Sequence, residues 1–92
     1  MTRADAISAT LTKTFSPQTL EVIDESARHH GHAGARPEGQ THYAVRIVSA
    51  SFEGVSRVER QRRVYAALDG EFQNGLHALS LKALTPAEAK QL

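Results

Sequence analysis

The stretch THYAVRIVSASFEGVSRVERQRRVYAALDGEF, residues 41–72, carries the signals that decide the fold. Its first part alternates between two faces, which is typical of a β-strand. The more hydrophobic face consists of Tyr43, Val45 and Ile47, and the other of His42, Ala44 and Arg46. The residues from Ser49 to Gly54 interrupt the alternation. Ser56 then stands three residues before Glu59, and this capping-box spacing predicts that a helix starts here.

The helix predicted after Ser56 has two distinct faces, because residues three or four apart lie on one side of a helix. Its hydrophobic stripe consists of Val58, Tyr65, Leu68 and Phe72. The arginines that form another face are Arg57, Arg60 and Arg63. Asn74-Gly75 ends the helix, since glycine readily adopts the left-handed conformation that closes helices.

The flanking sequence supplies four more elements, marked by caps and by hydrophobic periodicity. They are a helix over Thr2–Phe15, a strand over Thr19–Ser26, a strand over Leu76–Leu84, and a helix that Thr85-Pro86 opens and that runs to Leu92. The order α-β-β-α-β-α predicts an α+β domain with a three-stranded mixed sheet and helices on one face. The first two strands are expected to form a hairpin, and the second and third to be parallel.

Composition sets limits on the possible functions. The chain has 92 residues, the size of one small domain, and its net charge of +1 argues neither for nor against nucleic-acid binding. It contains no cysteine, so it forms no disulfide and offers no thiolate to a metal or a substrate. No hydrophobic run approaches the roughly 20 residues of a membrane span, and no signal segment is evident. A cytoplasmic location is therefore the expectation.

Histidines gather around one end of the predicted sheet. The segment ARHHGHAGARPEGQ, residues 27–40, is predicted to be the hairpin loop, and its histidines are His29, His30 and His32. His42 and His77 begin parallel strands, so they are expected to lie near each other. Neutral imidazole is a common ligand of iron and zinc, which makes this end a candidate metal site. The alternatives are a solvated loop and a partly buried, hydrogen-bonded His77.

Short motifs are distributed along most of the chain. They are Asp24-Glu25-Ser26, Gly39-Gln40-Thr41-His42-Tyr43, Val48-Ser49 with Phe52-Glu53-Gly54, Arg60-Gln61-Arg62 with Val64, Leu76-His77-Ala78-Leu79, and Thr85-Pro86. In this order and spacing, from about Leu20 to Pro86, the chain resembles the BolA-like family. The resemblance implies an α+β fold similar to the class II KH domain. Two positions depart from the family pattern, because Gln61 stands where a histidine is usual and Ala89 where an aromatic residue is frequent.

The resemblance also implies a function. BolA-like proteins are non-enzymatic partners of monothiol glutaredoxins and share a [2Fe–2S] cluster with them, in iron–sulfur cluster delivery or iron homeostasis. The glutaredoxin and its glutathione would supply thiolates, and this chain would supply imidazoles. His77 matches the family's ligand near the start of the last strand. His29 matches the loop ligand, with His32 and His30 as alternates. The sequence leaves open whether the free chain forms a homodimer.

An arginine-rich turn and helix, residues 54–63, supports a second hypothesis, a DNA-binding transcriptional regulator. The candidate contacts are Arg57, Arg60, Arg62 and Arg63. Glu53 and Glu59 lie in the same region and, with the nearly neutral net charge, weaken this hypothesis. A solvated helix face with local Glu–Arg pairs is equally compatible with the pattern. The same arginines would also suit a docking surface for the glutaredoxin.

An enzyme is not predicted from these residues. Asp24 and Glu25 are adjacent on a strand, so they face opposite sides and do not form a carboxylate pair. Ser26 lies near His29 but lacks an evident third group to orient a catalytic histidine.

Overall fold

The computed structural model describes residues 2–25 and 42–91. In chain order, the elements of these residues are α1 (Arg3–Phe15), β1 (Thr19–Asp24), β2 (His42–Val48), a single 3-10 turn (Ala50–Phe52), α2 (Arg57–Ala67), α3 (Asp69–Gln73), β3 (Ala78–Leu84) and α4 (Pro86–Lys90). The predicted loop of residues 27–40 lies outside the described residues, as do Ser26 and Leu92. The predicted elements are all present, with one of them divided in two.

The sheet has the predicted topology, with strand order β1-β2-β3. β1 pairs antiparallel with β2, and Val22 lies opposite Val45. β3 pairs parallel with β2 on the other side, where the same Val45 lies opposite Leu81. The hairpin and the parallel pair predicted from the sequence are both confirmed. β2 is therefore the central strand, and β1 and β3 are the two edges of the described sheet.

The helices and one face of the sheet enclose a single hydrophobic core. Its buried members include the three predicted inward residues of β2, namely Tyr43, Val45 and Ile47. α1 contributes its predicted stripe, Ile7, Leu11 and Phe15. The Phe15 and Phe52 rings lie 5.1 Å apart between centroids, so the end of α1 and the 3-10 turn meet in the core.

The connection after β2 is held against the end of α1 by serine hydroxyl groups. The Ser49 hydroxyl donates to the carbonyl oxygen of Phe15 at 2.7 Å, and the Ser51 hydroxyl donates to the same oxygen at 3.1 Å. Gly54 follows with φ of +75°, a conformation that side chains with a Cβ rarely adopt. These contacts place Ser56, whose hydroxyl accepts from the backbone N–H of Glu59, at the start of α2.

The prediction of one continuous helix after Ser56 is wrong. The helix is interrupted at Leu68, whose N–H is shared between the carbonyls of Val64 and Tyr65, and it resumes as the short α3. Asp69-Gly70 follows the break directly, and both residue types are weak helix formers. The predicted end at Gly75 is confirmed, since this residue has φ of +116°.

The predicted hydrophobic stripe of this helix is also corrected. Val58 is 60% exposed, whereas Arg60 is only 6% exposed and lies on the buried side of α2. Arg60, Val64 and Leu68 are spaced by four residues, so they share the inward face. Val58 lies two residues from Arg60, about 200° around the helix, and therefore points outward. The expectation that Arg57, Arg60 and Arg63 form one exposed face fails at Arg60.

Candidate functional site

The two histidines that begin neighbouring strands lie together. His42 is the first residue of β2 and pairs with Ala78, the first residue of β3, so His77 immediately precedes β3 beside it. The two imidazole rings are 5.3 Å apart between centroids, with a tilt of 47° between their planes. The sequence-based expectation that parallel strand starts bring these histidines together is confirmed.

The two rings differ in exposure. His42 is 8% exposed, whereas His77 is exposed. The expectation of a partly buried His77, offered as an alternative to a metal ligand, is therefore wrong. Across residues 2–25 and 42–91, the His77 side chain has a ring contact with His42 but no hydrogen bond or ion pair. The His77 side chain is therefore exposed and has no hydrogen-bond partner among the described residues.

The β1–β2 ladder continues up to this pair of histidines. The N–H of Glu25 donates to the carbonyl oxygen of His42 at 2.8 Å, which extends the β1–β2 ladder to the strand end. Asp24 lies opposite Tyr43 in the same ladder. Burial, followed by the nearby charge of Asp24, raises the pKa of the Tyr43 hydroxyl, so this group stays neutral at physiological pH.

The described histidines at this sheet end are His42 and His77, and the carboxylates of Asp24 and Glu25 belong to the same end. The chain has no cysteine, and the described ranges contain no cluster of three or more histidine, aspartate or glutamate side chains that would hold a metal. His29, His30 and His32 lie outside the described residues, so their predicted roles stay predictions. An iron centre at His77 would therefore need further donors from the loop or from another molecule. Imidazole is a suitable iron donor, as in clusters ligated by two histidines.

The arginine face divides into an internal arginine and surface arginines. The Arg60 guanidinium donates to the Val55 carbonyl at 2.8 Å, to the Ala83 carbonyl at 3.1 Å, and to both Glu88 oxygens at 2.6 and 3.2 Å. The bonds from Arg60, together with the Thr85 N–H, lower the pKa of Glu88 from 4.5 to about 2. Arg60 thus joins α2, β3 and α4, and it is not free to contact DNA or a partner.

Arg62 and Arg63 are exposed but share one carboxylate. Glu59 lies 3.9 Å from Arg62 and 3.3 Å from Arg63. Such surface pairs contribute little to stability, but they reduce the positive potential of the helix face. Arg57 is also exposed and lines a groove with Lys82, which the sequence analysis did not single out. The signal for Lys82 was its place at an outward-facing position in the alternation of β3.

Comparison with known proteins assigns the chain to a family. The family model described as "BolA-like protein" matches residues 11–88, and the chain belongs to the BolA-like family. The BolA domain of SufE1 from Arabidopsis thaliana is 45% identical, and each of the two chains is covered to 96% with a TM-score of 0.86. The solution structure of BolA1 from Mus musculus is 39% identical, with a TM-score of 0.81 over 97% of this chain and 69% of the other.

Full-length relatives extend beyond the region that this chain matches. SufE-like protein 1, chloroplastic/mitochondrial, of Arabidopsis thaliana is 47% identical over 90 residues, which cover 94% of this chain and 24% of that protein. Protein BOLA1, chloroplastic, of the same plant is 44% identical over 95% of this chain and 56% of its own length. This chain thus spans about a quarter of one relative and about half of the other.

The comparisons agree with the α+β fold derived above, and the class II KH likeness is compatible with it. Among the described helices, none has the length and hydrophobicity needed to cross a bilayer. The compartments named for the plant relatives are chloroplast and mitochondrion. The predicted cytoplasmic location of this chain stays a prediction.

Proposed function

We propose that this protein is a non-enzymatic partner of monothiol glutaredoxins that shares a [2Fe–2S] cluster with them for iron–sulfur delivery or iron homeostasis. The observation that carries the proposal is the exposed imidazole of His77, fixed at the start of β3 and without a hydrogen bond to any described residue. An exposed imidazole that directly precedes a strand is a suitable metal ligand.

The donor set of the chain makes a shared site necessary. Without cysteine, this chain supplies imidazoles, and the thiolates of a [2Fe–2S] centre must come from the glutaredoxin and its glutathione. Histidine ligation raises the potential of such a centre relative to a cluster held by thiolates alone. His77 would be one ligand, and His29, or else His32 or His30, would be the second.

The packing of His42 against His77 supports the same proposal. Metal-binding histidines are normally oriented by neighbouring groups, and His42 is the neighbour in contact with the His77 ring. His42 is nearly buried and lies 5.3 Å from the His77 ring between centroids. The two imidazoles are therefore in contact at the sheet end, with His77 the more exposed of the two.

The decisive experiment is an anaerobic reconstitution. The chain is mixed with a monothiol glutaredoxin, glutathione, ferrous iron and sulfide, and the complex is isolated by size exclusion. A heterodimer with the visible absorption and circular dichroism of a [2Fe–2S] centre is expected. His77→Ala should change this spectrum strongly, because one iron loses an imidazole.

Matched variants separate ligation from general damage. Ser80→Ala removes a polar group from an exposed position of the same strand and should leave the spectrum unchanged. Separate alanine variants of His29, His30 and His32 identify the second ligand. If His77→Ala and Ser80→Ala give the same spectrum as the unchanged chain, the ligand role of His77 is wrong. If no complex forms with the glutaredoxin in the absence or presence of iron, the partnership itself fails.

The alternative of a DNA-binding regulator gains no specific support from the structure. Of its four candidate arginines, Arg60 is internal, and Arg62 and Arg63 share Glu59. A surface that contacts several phosphates needs an excess of unpaired cations. We therefore retain the glutaredoxin partnership as the proposed function.

A further inference from the structure

The outer edge of β3 is a surface that the proposed metal site does not use. In residues 2–25 and 42–91, β3 has β2 on one side and no strand on the other. α2 lies close to this edge, because the Tyr65 hydroxyl donates to the carbonyl oxygen of Leu79 at 2.9 Å. Arg60 on the same helix donates to the carbonyl oxygen of Ala83. These two contacts mark where α2 meets the edge.

The same contacts reveal which backbone groups of β3 point outward. In a strand, the N–H and C=O of successive residues point alternately to the two sides. The carbonyl of Leu84 faces β2, since it accepts from Ser49 N–H, whereas the carbonyls of Leu79 and Ala83 face the helix. Leu81 belongs to the outward set and lies midway between those two carbonyls. Its N–H and C=O therefore point to the edge, where the described part of the chain places no strand.

A groove runs beside this open position. It is lined by Arg57, Gln61, Leu81, Lys82, Ala83 and Leu84 and has a volume of about 140 Å³. Leu81 and Ala83 are half-buried and pack against the core, and they contribute apolar surface to a groove of mixed polarity. Its rim carries the polar side chains from α2 and β3. A groove beside an open strand edge, with both apolar and polar side chains in its lining, is suited to an extended peptide.

The rim carries two cations, Arg57 and Lys82. Arg57 and Lys82 are both exposed, and neither has an ion pair among the described residues. They differ in this respect from Arg62 and Arg63, which share Glu59. The positive charge of Arg57 contributes to the lowered pKa of Glu88. Both oxygens of the Glu88 carboxylate, however, accept hydrogen bonds from Arg60. The groove therefore has two cations available for an incoming anion.

We propose that this groove binds an extended, acidic segment of another protein, which adds a strand to the outer edge of β3. The N–H and C=O of Leu81 would exchange hydrogen bonds with the backbone of that segment. Carboxylates of the segment would meet Arg57 and Lys82, and an apolar side chain between them would lie over Leu81. The open backbone pair favours a polypeptide over a nucleic acid, whose phosphates would use the cations alone.

This surface is separate from the proposed metal site. The groove follows the second half of β3, from Leu81 to Leu84, whereas His77 precedes the first residue of that strand. A glutaredoxin bound at His77 and an acidic segment bound at the groove would therefore use different ends of β3. The proposal does not depend on the glutaredoxin partnership.

The test uses the full chain and short, capped peptides. The probe is a fluorescent peptide of alternating Glu and Val, and binding is followed by anisotropy and by amide chemical shifts of the isotopically labelled protein. Saturable binding is expected, with the largest shifts at Leu81 and its neighbours. The double variant Arg57→Gln, Lys82→Gln should weaken binding by about five- to tenfold, as expected for the loss of two partly exposed ion pairs.

Two controls isolate the charge and the backbone contributions. Lys13→Gln combined with Lys90→Gln removes the same charge from exposed positions outside the groove lining and should change the affinity by less than about twofold. A Glu-Val peptide whose alternate amides are N-methylated keeps its charge but loses its donors, and it should bind at least about tenfold more weakly.

Several results would overturn the proposal. A Lys-Val peptide that binds as well as the Glu-Val peptide would remove the role of charge, and an equally tight N-methylated peptide would remove strand addition. A short DNA duplex that binds at the same residues more tightly than the peptide near physiological salt would assign the groove to phosphate. If the protein forms a concentration-dependent dimer and the amide chemical shifts that change on dimerisation are those around Leu81, the edge binds a second copy of this chain.

Discussion

β3 begins and ends in opposite ways. At its start, His77 is exposed and has a ring contact with His42 but no hydrogen bond within the described residues. At its end, Arg60 and Glu88 are bonded to each other, and Arg60 also donates to the carbonyl of Ala83. Both ends carry residues that a sequence analysis would mark as functional. The two ends differ in the number of hydrogen bonds that these residues make within the chain. A polar group whose hydrogen bonds are all made within the chain stabilises the fold and is not available to a ligand.

The difference also explains why one helix carries arginines of unlike roles. Arg60 is almost completely buried, and burying a cation is unfavourable unless it is paired and hydrogen-bonded. Its donors meet two carbonyls and a carboxylate, so that condition is fulfilled. Arg62, two residues further along α2, is 74% exposed and has one long ion pair.

The largest effect is expected from removing the internal cation. Arg60→Ala should lower the free energy of unfolding by about 3 kcal/mol, because it removes a buried guanidinium and takes its hydrogen bonds from the Val55 and Ala83 carbonyls and the partly exposed Glu88 carboxylate. Urea unfolding followed by circular dichroism measures it. Arg62→Ala in the same helix should cost less than about 0.5 kcal/mol. Equal losses in the two variants would contradict the internal role of Arg60.

The second prediction concerns the pH dependence of stability at this end of β3. The pKa of Glu88 in the folded chain is about 2, below its ordinary value of 4.5, so folding favours the ionised carboxylate. The stabilisation is therefore complete above pH 4.5 and is lost as the pH falls towards 2. Unfolding free energies across this range should fall more steeply for the unchanged chain than for Glu88→Gln. Parallel pH profiles of the two chains would show that the hydrogen bond from Arg60 does not lower the pKa of Glu88.

A smaller effect is expected from the cap of α4. The Thr85 hydroxyl accepts from Glu88 N–H at 3.2 Å, and Glu88 in return accepts from Thr85 N–H at 2.9 Å. Thr85→Ala should cost about 1 kcal/mol, the usual value for an N-cap. Thermal and urea unfolding of this variant are compared with those of Ser80→Ala, an exposed position on β3 that should change stability by less than about 0.5 kcal/mol. If Thr85→Ala leaves the free energy of unfolding unchanged, the N-cap of α4 does not stabilise the fold.

The smallest effect on stability is expected at the start of β3. His77→Ala should change the free energy of unfolding by less than about 0.5 kcal/mol, since the side chain is exposed and has no hydrogen bond in the described part of the chain. His42→Ala should cost more, because His42 is nearly buried. The same urea experiment measures both variants. If His77→Ala lowers the free energy of unfolding as much as Arg60→Ala does, His77 has a structural role rather than a ligand-binding one.

Much of the fold could be predicted because its signals are local. The cap at Thr2, the α1 stripe, the alternation of β2 and the Thr85-Pro86 start were all recognisable from residues a few positions apart. The meeting of His42 and His77 was also predictable, since parallel strands begin at one edge of a sheet. The break at Leu68 was missed, because the helical pattern of side chains continues through it while the backbone does not.

The assignment of the arginines could not be predicted in the same way. Val58 and Arg60 lie on opposite sides of α2, and hydrophobicity favoured the side of Val58 for the core. The structure reverses this choice, because Glu88 lies 28 residues further along the chain and provides the partner that allows Arg60 to be buried. Arg3 shows the same principle at α3, where it donates to Glu71 at a separation of 68 residues.

The sequence by itself determined the order of elements, the sheet topology and the gathering of His42 and His77 at one sheet end. Periodicity and caps act between close neighbours, so the chain carries this information at short range. Only the tertiary structure decided which cations are internal, which are free, and that Lys82 joins Arg57 beside an open strand edge. These properties depend on partners brought together from distant parts of the chain, and burial then makes an unpaired charge too costly to keep.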